Sequence, residues 1–267
     1  MTVVAACQLD LRIGDVAGNR QVAVAAIEEA ARHGAEVVVL PELCDTGYVF
    51  ADRSEADRLA DPEGTLAVWR DVAGTTGTLV VGGLCDRLDG ALVNGAAVVD
   101  GSGVMARYAK AHLWDREREI FVAGDVPPVV VDTRVGRLGV MVCYDLEFPD
   151  WVRLAAEAGT EILAVPVNWP RFPRPEGERP TEVVKAQAAA ATWGIHVVVA
   201  DRCGTERGVE WVGGSCIIGS DGFPLAAPEP ADASRVLVAD VDPNVARDKN
   251  VGDTNNLFDD RRIDLYG

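Results

Sequence analysis

Arg137-Leu-Gly-Val-Met-Val-Cys-Tyr-Asp-Leu-Glu-Phe-Pro-Asp150 is the stretch from which the fold class can be read. Leu138 to Val142 is an apolar run without alternation, the pattern of a strand buried on both faces. The run stops at Cys143-Tyr144-Asp145. A helix is predicted from about Pro149, with Trp151, Leu154, Ala155 and Ala158 on one face. A cysteine where a buried strand turns toward a helix lies at the carboxyl end of a sheet, where α/β folds carry their chemistry. On this segment alone Cys143 reads equally well as a buried structural thiol, because free cysteine is among the most buried residue types.

The rest of the chain repeats the pattern. Val3 to Leu9 reads as a strand, Gly18 to His33 as an amphipathic helix ended by Gly34, and Glu36 to Leu40 as a second buried strand. That spacing implies a parallel pair joined by a right-handed crossover, with Glu42 emerging at the edge of Cys7-Gln8. Leu43 to Phe50 leaves as a loop and brings Tyr48 and Phe50 toward that edge. A helix is predicted over Thr65 to Ala73, then strands over Leu79 to Leu84 and Leu92 to Val99, joined at Asp89-Gly90. Val104 to Ala109 is a short strand that delivers Lys110. Val129 to Val131 pairs with Leu138 to Val142, and Ile162 to Val167 ends at Asn168-Trp169. Arg171 to Pro180 is a polar, Pro-rich surface loop. Thr181 to Trp193 is helical and His196 to Ala200 a strand. Ser215 to Ile218, Asp221-Gly222 and Val236 to Val241 read as a closing antiparallel set. Two halves that each mix strands with helices predict one domain over 1–267, built of two packed sheets with helices outside.

Composition bounds the function. At 267 residues, 48% hydrophobic and 25% charged, this is an ordinary globular chain. A net charge of −17 argues against nucleic acid or an anionic membrane as partner. The N-terminus has no basic leader and no apolar run spans a bilayer, so a cytoplasmic protein is expected. Cys7, Cys44, Cys85, Cys143, Cys203 and Cys216 form no C-x-x-C pair, which points to free thiols rather than disulfides or zinc. Arginine is used almost everywhere that lysine would serve. Lys110, Lys185 and Lys249 are the only lysines, so a retained ammonium marks a site that needs one.

Glu42, Lys110 and Cys143 each fall just past a predicted strand, so an acid, an ammonium and a thiol are expected on one rim. A carboxylate whose pKa burial has raised can deprotonate a thiol. Attack on C=O or C≡N develops negative charge, which a fixed ammonium and a backbone N–H stabilise. The carboxyl then returns its proton to the leaving amine.

With Leu40-Pro-Glu42, Tyr108-Ala-Lys110-Ala-His-Leu113 and Val142-Cys-Tyr-Asp-Leu-Glu-Phe-Pro149 in order, nearly the whole chain resembles the nitrilase superfamily of carbon–nitrogen hydrolases, on its amidase-like branch. Glu117-Arg-Glu-Ile-Phe-Val-Ala-Gly-Asp125, Ala200-Asp-Arg-Cys-Gly204, Gly213-Gly-Ser215 and Ala246-Arg-Asp to Asp260-Arg-Arg262 also fit. The resemblance implies a four-layer αββα sandwich of two mixed sheets. It implies a Glu42-Lys110-Cys143 triad, with the family's second glutamate on Glu117 rather than Glu119, and no metal or organic cofactor. It further implies pairing into a homodimer, often extended by the C-terminal tail. One departure is Ala189-Ala-Ala-Thr-Trp193, which stands where relatives often carry a charged helix-end network.

The implied activity is an amidase that releases ammonia from a small amide through a thioester, with the Tyr144 N–H in the oxyanion hole. A nitrilase or an N-carbamoyl amidohydrolase would share the machinery, and a non-catalytic binding member of the fold is the alternative from another class. Tyr48, Asn168, Trp169 and Arg171 are the substrate-binding candidates. Among the loop arginines (Arg171, Arg174 and Arg179), one could anchor a carboxylate, although a solvated loop is the simpler reading. His112 is read as structural. The tail from about Asn244 carries Val251, Leu257, Phe258, Ile263, Leu265 and Tyr266 on a charged segment, suited to docking on its own subunit or across a dimer interface.

Overall fold

A computed structural model describes residues 1–266; Gly267 and the side chain of Tyr266, both part of the tail reading, lie outside what is described. The first half contains β1 (Thr2–Asp10), α1 (Val16–Arg32), β2 (Val37–Val39), α2 (Arg53–Leu59), α3 (Pro62–Thr76), β3 (Leu79–Leu88), β4 (Ala91–Asp100), β5 (Gly103–Ala109) and α4 (Glu117–Ile120). Next come β6 (Val129–Thr133), β7 (Gly136–Val140), a 3-10 turn (Cys143–Glu147), α5 (Pro149–Glu157), β8 (Ile162–Pro166), α6 (Thr181–Trp193) and β9 (His196–Ala200). The remainder holds β10 (Arg202–Cys203), β11 (Thr205–Glu206), β12 (Val209–Glu210), β13 (Cys216–Ile218), β14 (Pro224–Ala226), β15 (Arg235–Val241), α7 (Pro243–Arg247), β16 (Asn250–Val251), β17 (Asn255–Asn256) and α8 (Ile263–Tyr266).

Two large mixed sheets result. The first runs β10-β1-β2-β3-β4-β5, with β15 also on β1; the second runs β14-β13-β9-β8-β7-β6. Within each, three neighbouring strands are parallel: β1, β2 and β3 in one, β7, β8 and β9 in the other. Alternation explains the layering. Val4, Ala6, Val37, Val39 and Val81 of the first sheet pack with Leu163, Val165, Val197 and Val199 of the second. Ala5, Cys7, Val38 and Val80 point the other way, onto Ile27 of α1 and Leu66 and Trp69 of α3. Helices α5 and α6 cover the second sheet through Val152, Ala155, Ala186 and Ala190. The predicted αββα sandwich is the observed one.

Several expectations change in detail. The ladder of the strand predicted to reach Val142 stops at Val140, and Met141 and Val142 continue buried into the turn. The inner face of α5 is Val152, Ala155 and Ala156, while Trp151 and Leu154 are half-buried and Ala158 is exposed at the helix end. Val236 to Val241 does not close a set with Ser215 to Ile218. It belongs to β15, antiparallel to β1 from Thr2–Val241 to Gln8–Arg235. A two-residue period identifies a strand but not its neighbour, and β14 occupies the place beside β13. Helix α2 was not predicted, since only Ala56 of it is buried and it has no apolar stripe.

The tail packs on its own chain, at the ends of α5 and α6. Lys249 Nζ donates to the carbonyls of Trp193 (2.9 Å) and Gly194 (2.8 Å), supplying donors to the last turn of α6. Phe258 lies 6.1 Å from the Trp193 ring, and the Arg261 guanidinium covers that ring and pairs with Glu157. Tail cations thus serve the carboxyl end of α6.

One glycine fixes how the chain leaves β2 at the rim. A Cβ on Gly83 of β3 would stand 2.4 Å from the Glu42 Cα, so only glycine lets the chain turn out of β2 against β3. Gly83→Ala is expected to cost roughly 1–3 kcal/mol through overpacking. Urea denaturation measures this, and an unchanged midpoint would show that the turn can shift freely.

Candidate active site

The strand ends bring the predicted residues together. Glu42 follows β2, Lys110 follows β5, Glu117 opens α4 and Cys143 opens the 3-10 turn after β7. Glu42 and Lys110 are fully buried, and Glu117 nearly so. Lys110 Nζ donates to Glu42 Oε1 and to Glu117 Oε1, each at 2.7 Å. Asn94 Nδ2 also donates to Glu42 Oε1 (2.7 Å), and the Tyr48 hydroxyl to Glu117 Oε1 (2.5 Å). Among the described residues, Glu42 Oε2 has no hydrogen-bond partner. It is therefore the carboxylate oxygen left for a proton, a thiol or water.

The electrostatics follow from burial. Two carboxylates and one ammonium out of water leave an excess negative charge, which one proton removes. Burial pushes the Glu42 carboxyl up to about 7, with the Lys110 charge opposing the rise and the Glu117 charge adding to it. Burial alone would push the Lys110 ammonium down, but the charges of Glu117 and Glu42 outweigh it and hold the amine protonated. Burial raises the Cys143 thiol, the Glu42 charge raises it further, and Lys110 works the other way. Cys143 rests as a thiol beside an acid able to take its proton.

Backbone geometry bends the chain sharply at the cysteine. Cys143 has φ 48° and Leu43, directly after Glu42, φ 46°, left-handed values that cost a non-glycine residue about 1–3 kcal/mol. Asp145 holds the bent turn in place. Its carboxylate accepts from the Val142 N–H (3.2 Å), the Tyr108 hydroxyl (2.7 Å) and the His112 N–H (2.9 Å). The cysteine turn is thereby tied to the segment that carries Lys110. His112 is stacked on Phe148 with its Nδ1 on Asp145, in keeping with its structural reading. The Tyr144 N–H, at the start of a helical turn, is one of those such a turn leaves without an internal partner.

A cavity of about 670 Å³ opens beside these residues, lined by Tyr48, Phe50, Trp114, Glu117, Tyr144 and Trp211 among others. Cys143, Asn168 and Trp169 line a narrow slot of about 20 Å³ that shares Trp114, Tyr144, Pro170 and Phe172 with it. Of the substrate-binding candidates, Tyr48 lines the cavity and Asn168 and Trp169 the slot. Asn168 also donates to the Glu42 carbonyl (2.9 Å), and its own carbonyl faces Cys143 Sγ at 3.9 Å. Arg171 lines neither space. It is drawn off by the Trp211 carbonyl and by Asp232 at 2.9 Å, because its loop runs over the surface. Sequence reasoning missed Asn94, whose signal was a lone amide in the apolar run Leu92 to Val99, and Trp114 and Phe172, which carry none. Glu119 is a surface residue paired with Arg116.

A buried acid, an ammonium and a thiol beside an aromatic cavity are the groups that thiol-nucleophile chemistry requires. Comparison with known proteins identifies the lineage: residues 3–250 match the carbon-nitrogen hydrolase family, and the chain belongs to it. It is 36% identical to a nitrilase of Pyrococcus abyssi, over 100% of this chain and 99% of that protein. It is 29% identical to a 2-oxoglutaramate amidase of Bacillus subtilis, over 97% of each. Among solved structures, an amidase from Nesterenkonia sp. superposes with a TM-score of 0.82 at 26% identity, covering 99% of this chain and 95% of that one.

Cys143 is 7% exposed and opens on the slot, whereas the other five cysteines are at most 1% exposed. Brief treatment with iodoacetamide should therefore add one label, on Cys143, by intact-protein and peptide mass spectrometry. Labelling spread evenly over the six would contradict the access that the slot gives Cys143 alone among them.

Proposed function

We propose that the protein is a cysteine-dependent amidase that releases ammonia from a small amide through a thioester on Cys143. The observation that carries this reading is the unpaired Glu42 Oε2, on an acid raised to about 7, in the same buried group as Lys110 and Cys143. Glu42 takes the thiol proton as sulfur attacks the amide carbon. Lys110 and the Tyr144 N–H receive the developing oxyanion. Glu42 then protonates the departing ammonia and draws a proton from the water that opens the thioester. Glu117, fixed by Lys110, Tyr48 and the Trp114 N–H, orients substrate and water.

Structural neighbours named as amidases support the amide reading. One is an amidase of Nesterenkonia sp. AN1 with acrylamide joined to its active-site cysteine by Michael addition, which leaves the amide intact beside the sulfur, in a variant that has glutamine in place of one glutamate. Another carries the acetamide moiety of fluoroacetamide on that cysteine. The nitrile reading keeps support from the Pyrococcus relative, whose name is nitrilase. The carbamoyl amino acid reading has less support, since Arg171 is engaged by Asp232 and neither Arg174 nor Arg179 lines the cavity or the slot.

An ammonia-release screen over small amides, nitriles and carbamoyl amines tests the assignment, with amides expected to be turned over fastest. Cys143→Ala should abolish turnover, and a wild-type rate in that variant would refute the mechanism. Because Glu42 must be ionised to accept the thiol proton, kcat/KM should fall about tenfold per pH unit below about 7. A profile flat from pH 5 to 8 would remove Glu42 as the base.

A further inference from the structure

Beside the Glu42–Lys110–Glu117 group, a buried ion pair packs against the loop that carries Tyr48. Arg202 is fully buried and Glu206 nearly so, and Arg202 Nη2 donates to Glu206 Oε1 at 2.8 Å and to the Leu11 carbonyl at 2.5 Å. The other oxygen of Glu206 accepts the backbone N–H groups of Tyr48 (2.9 Å) and Val49 (2.6 Å). The Arg202 guanidinium lies 4.8 Å over the Trp211 ring, and Trp211 stands edge-on to the Tyr48 ring at 5.3 Å. Arg202 thus reaches Tyr48 twice, through its backbone by way of Glu206 and through its ring by way of Trp211.

We propose that Arg202 and Glu206 are positioning residues that act through Tyr48, holding its hydroxyl on Glu117 and so fixing the Glu117–Lys110–Glu42 group. The inference rests on the amidase reading of that group. Stability does not explain the pair. A buried ion pair gives little net stabilisation over apolar replacements, and Arg202 Nε and Nη1 find no partner among the described residues. What the pair supplies is an acceptor for two adjacent N–H groups in a loop with no ladder of its own. Gly47 bends that loop at φ 85°, and a Cβ there would meet Glu206 Oε1 at 2.7 Å. The loop and the carboxylate are packed to contact. Tyr48 delivers its hydroxyl to the oxygen of Glu117 that also holds Lys110, so a loop displacement is felt by the ammonium.

The double variant Arg202→Met/Glu206→Leu removes both charges, leaving no lone buried ion, and takes the acceptor from Tyr48 and Val49. In the Cys143-intact enzyme kcat should fall roughly 10- to 100-fold, the scale set by a misplacement of about 1 Å, with KM changing less. Arg202→Met/Glu206→Gln restores an acceptor oxygen without either charge and should recover most of kcat. In a Tyr48→Phe background, which has already lost the hydroxyl, the Met/Leu change should cost less than about threefold, the coupling expected of residues acting in one chain. Should the Met/Leu protein fail to fold by circular dichroism, Glu206→Gln alone, where Arg202 competes for the single acceptor, enters the same Tyr48→Phe cycle. Equal losses in both backgrounds, or no recovery with glutamine, would overturn the proposal. Full activity in the folded Met/Leu variant would also overturn it. Loss of turnover in Cys143→Ala alongside that result would leave the amidase reading standing.

Discussion

Lys110 is held between two carboxylates out of reach of solvent, 2.7 Å from Glu42 and 2.7 Å from Glu117. Taking three charged groups out of solvent is costly, and removing one partner of such a group costs about 3–5 kcal/mol. The arrangement therefore persists only where the surroundings leave no alternative. Glu42 is pinned by Asn94 and by Asn168 on its backbone carbonyl, and Glu117 by Tyr48 and the Trp114 N–H. Each partner comes from a different element: Asn94 from β4, Asn168 from the end of β8, Tyr48 from a loop. The two sheets must pack in register for all of them to meet.

The same enclosure sets the chemistry. With Glu42 raised to about 7 and its second oxygen unpaired, one carboxyl can lose and regain a proton near neutral pH. An exposed glutamate would have neither property. Cys143 is presented by strained backbone rather than by a free surface loop. Its turn is anchored through Asp145 to Tyr108 and His112, on the chain segment of Lys110. One carboxylate thereby ties the Cys143 turn to the segment of Lys110, an arrangement that suits the proposed step, whose charge would develop between the two.

Much of this was legible in the sequence because buried parallel strands announce themselves. Val37 to Leu40 and Leu138 to Val142 lack polar residues, so the first polar residues after them, Glu42 and Cys143, had to lie at a strand end. The choice of Glu117 over Glu119 came from the family resemblance, and burial agrees with it. Pairing across long distances was not legible. Nothing in Val236 to Val241 says that it lies beside Thr2 to Gln8, and nothing in Arg202 or Glu206 says that they reach Tyr48. The loop arginine Arg171 failed as a substrate anchor for a similar reason, since Asp232, which holds it, is far along the chain. The departure at Ala189 to Trp193 was visible, but the contacts of Lys249 and Arg261 at that helix end required the packed tail.

The central claim is that Cys143 carries the acyl group. Rapid-quench intact-protein mass spectrometry during turnover of a small amide tests it directly. The account requires a transient mass increase equal to the acyl group, mapped to the Cys143 peptide, with one ammonia released per adduct formed. Turnover with no adduct under conditions where ammonia release is faster than acid release, or an adduct on any other residue, would contradict it.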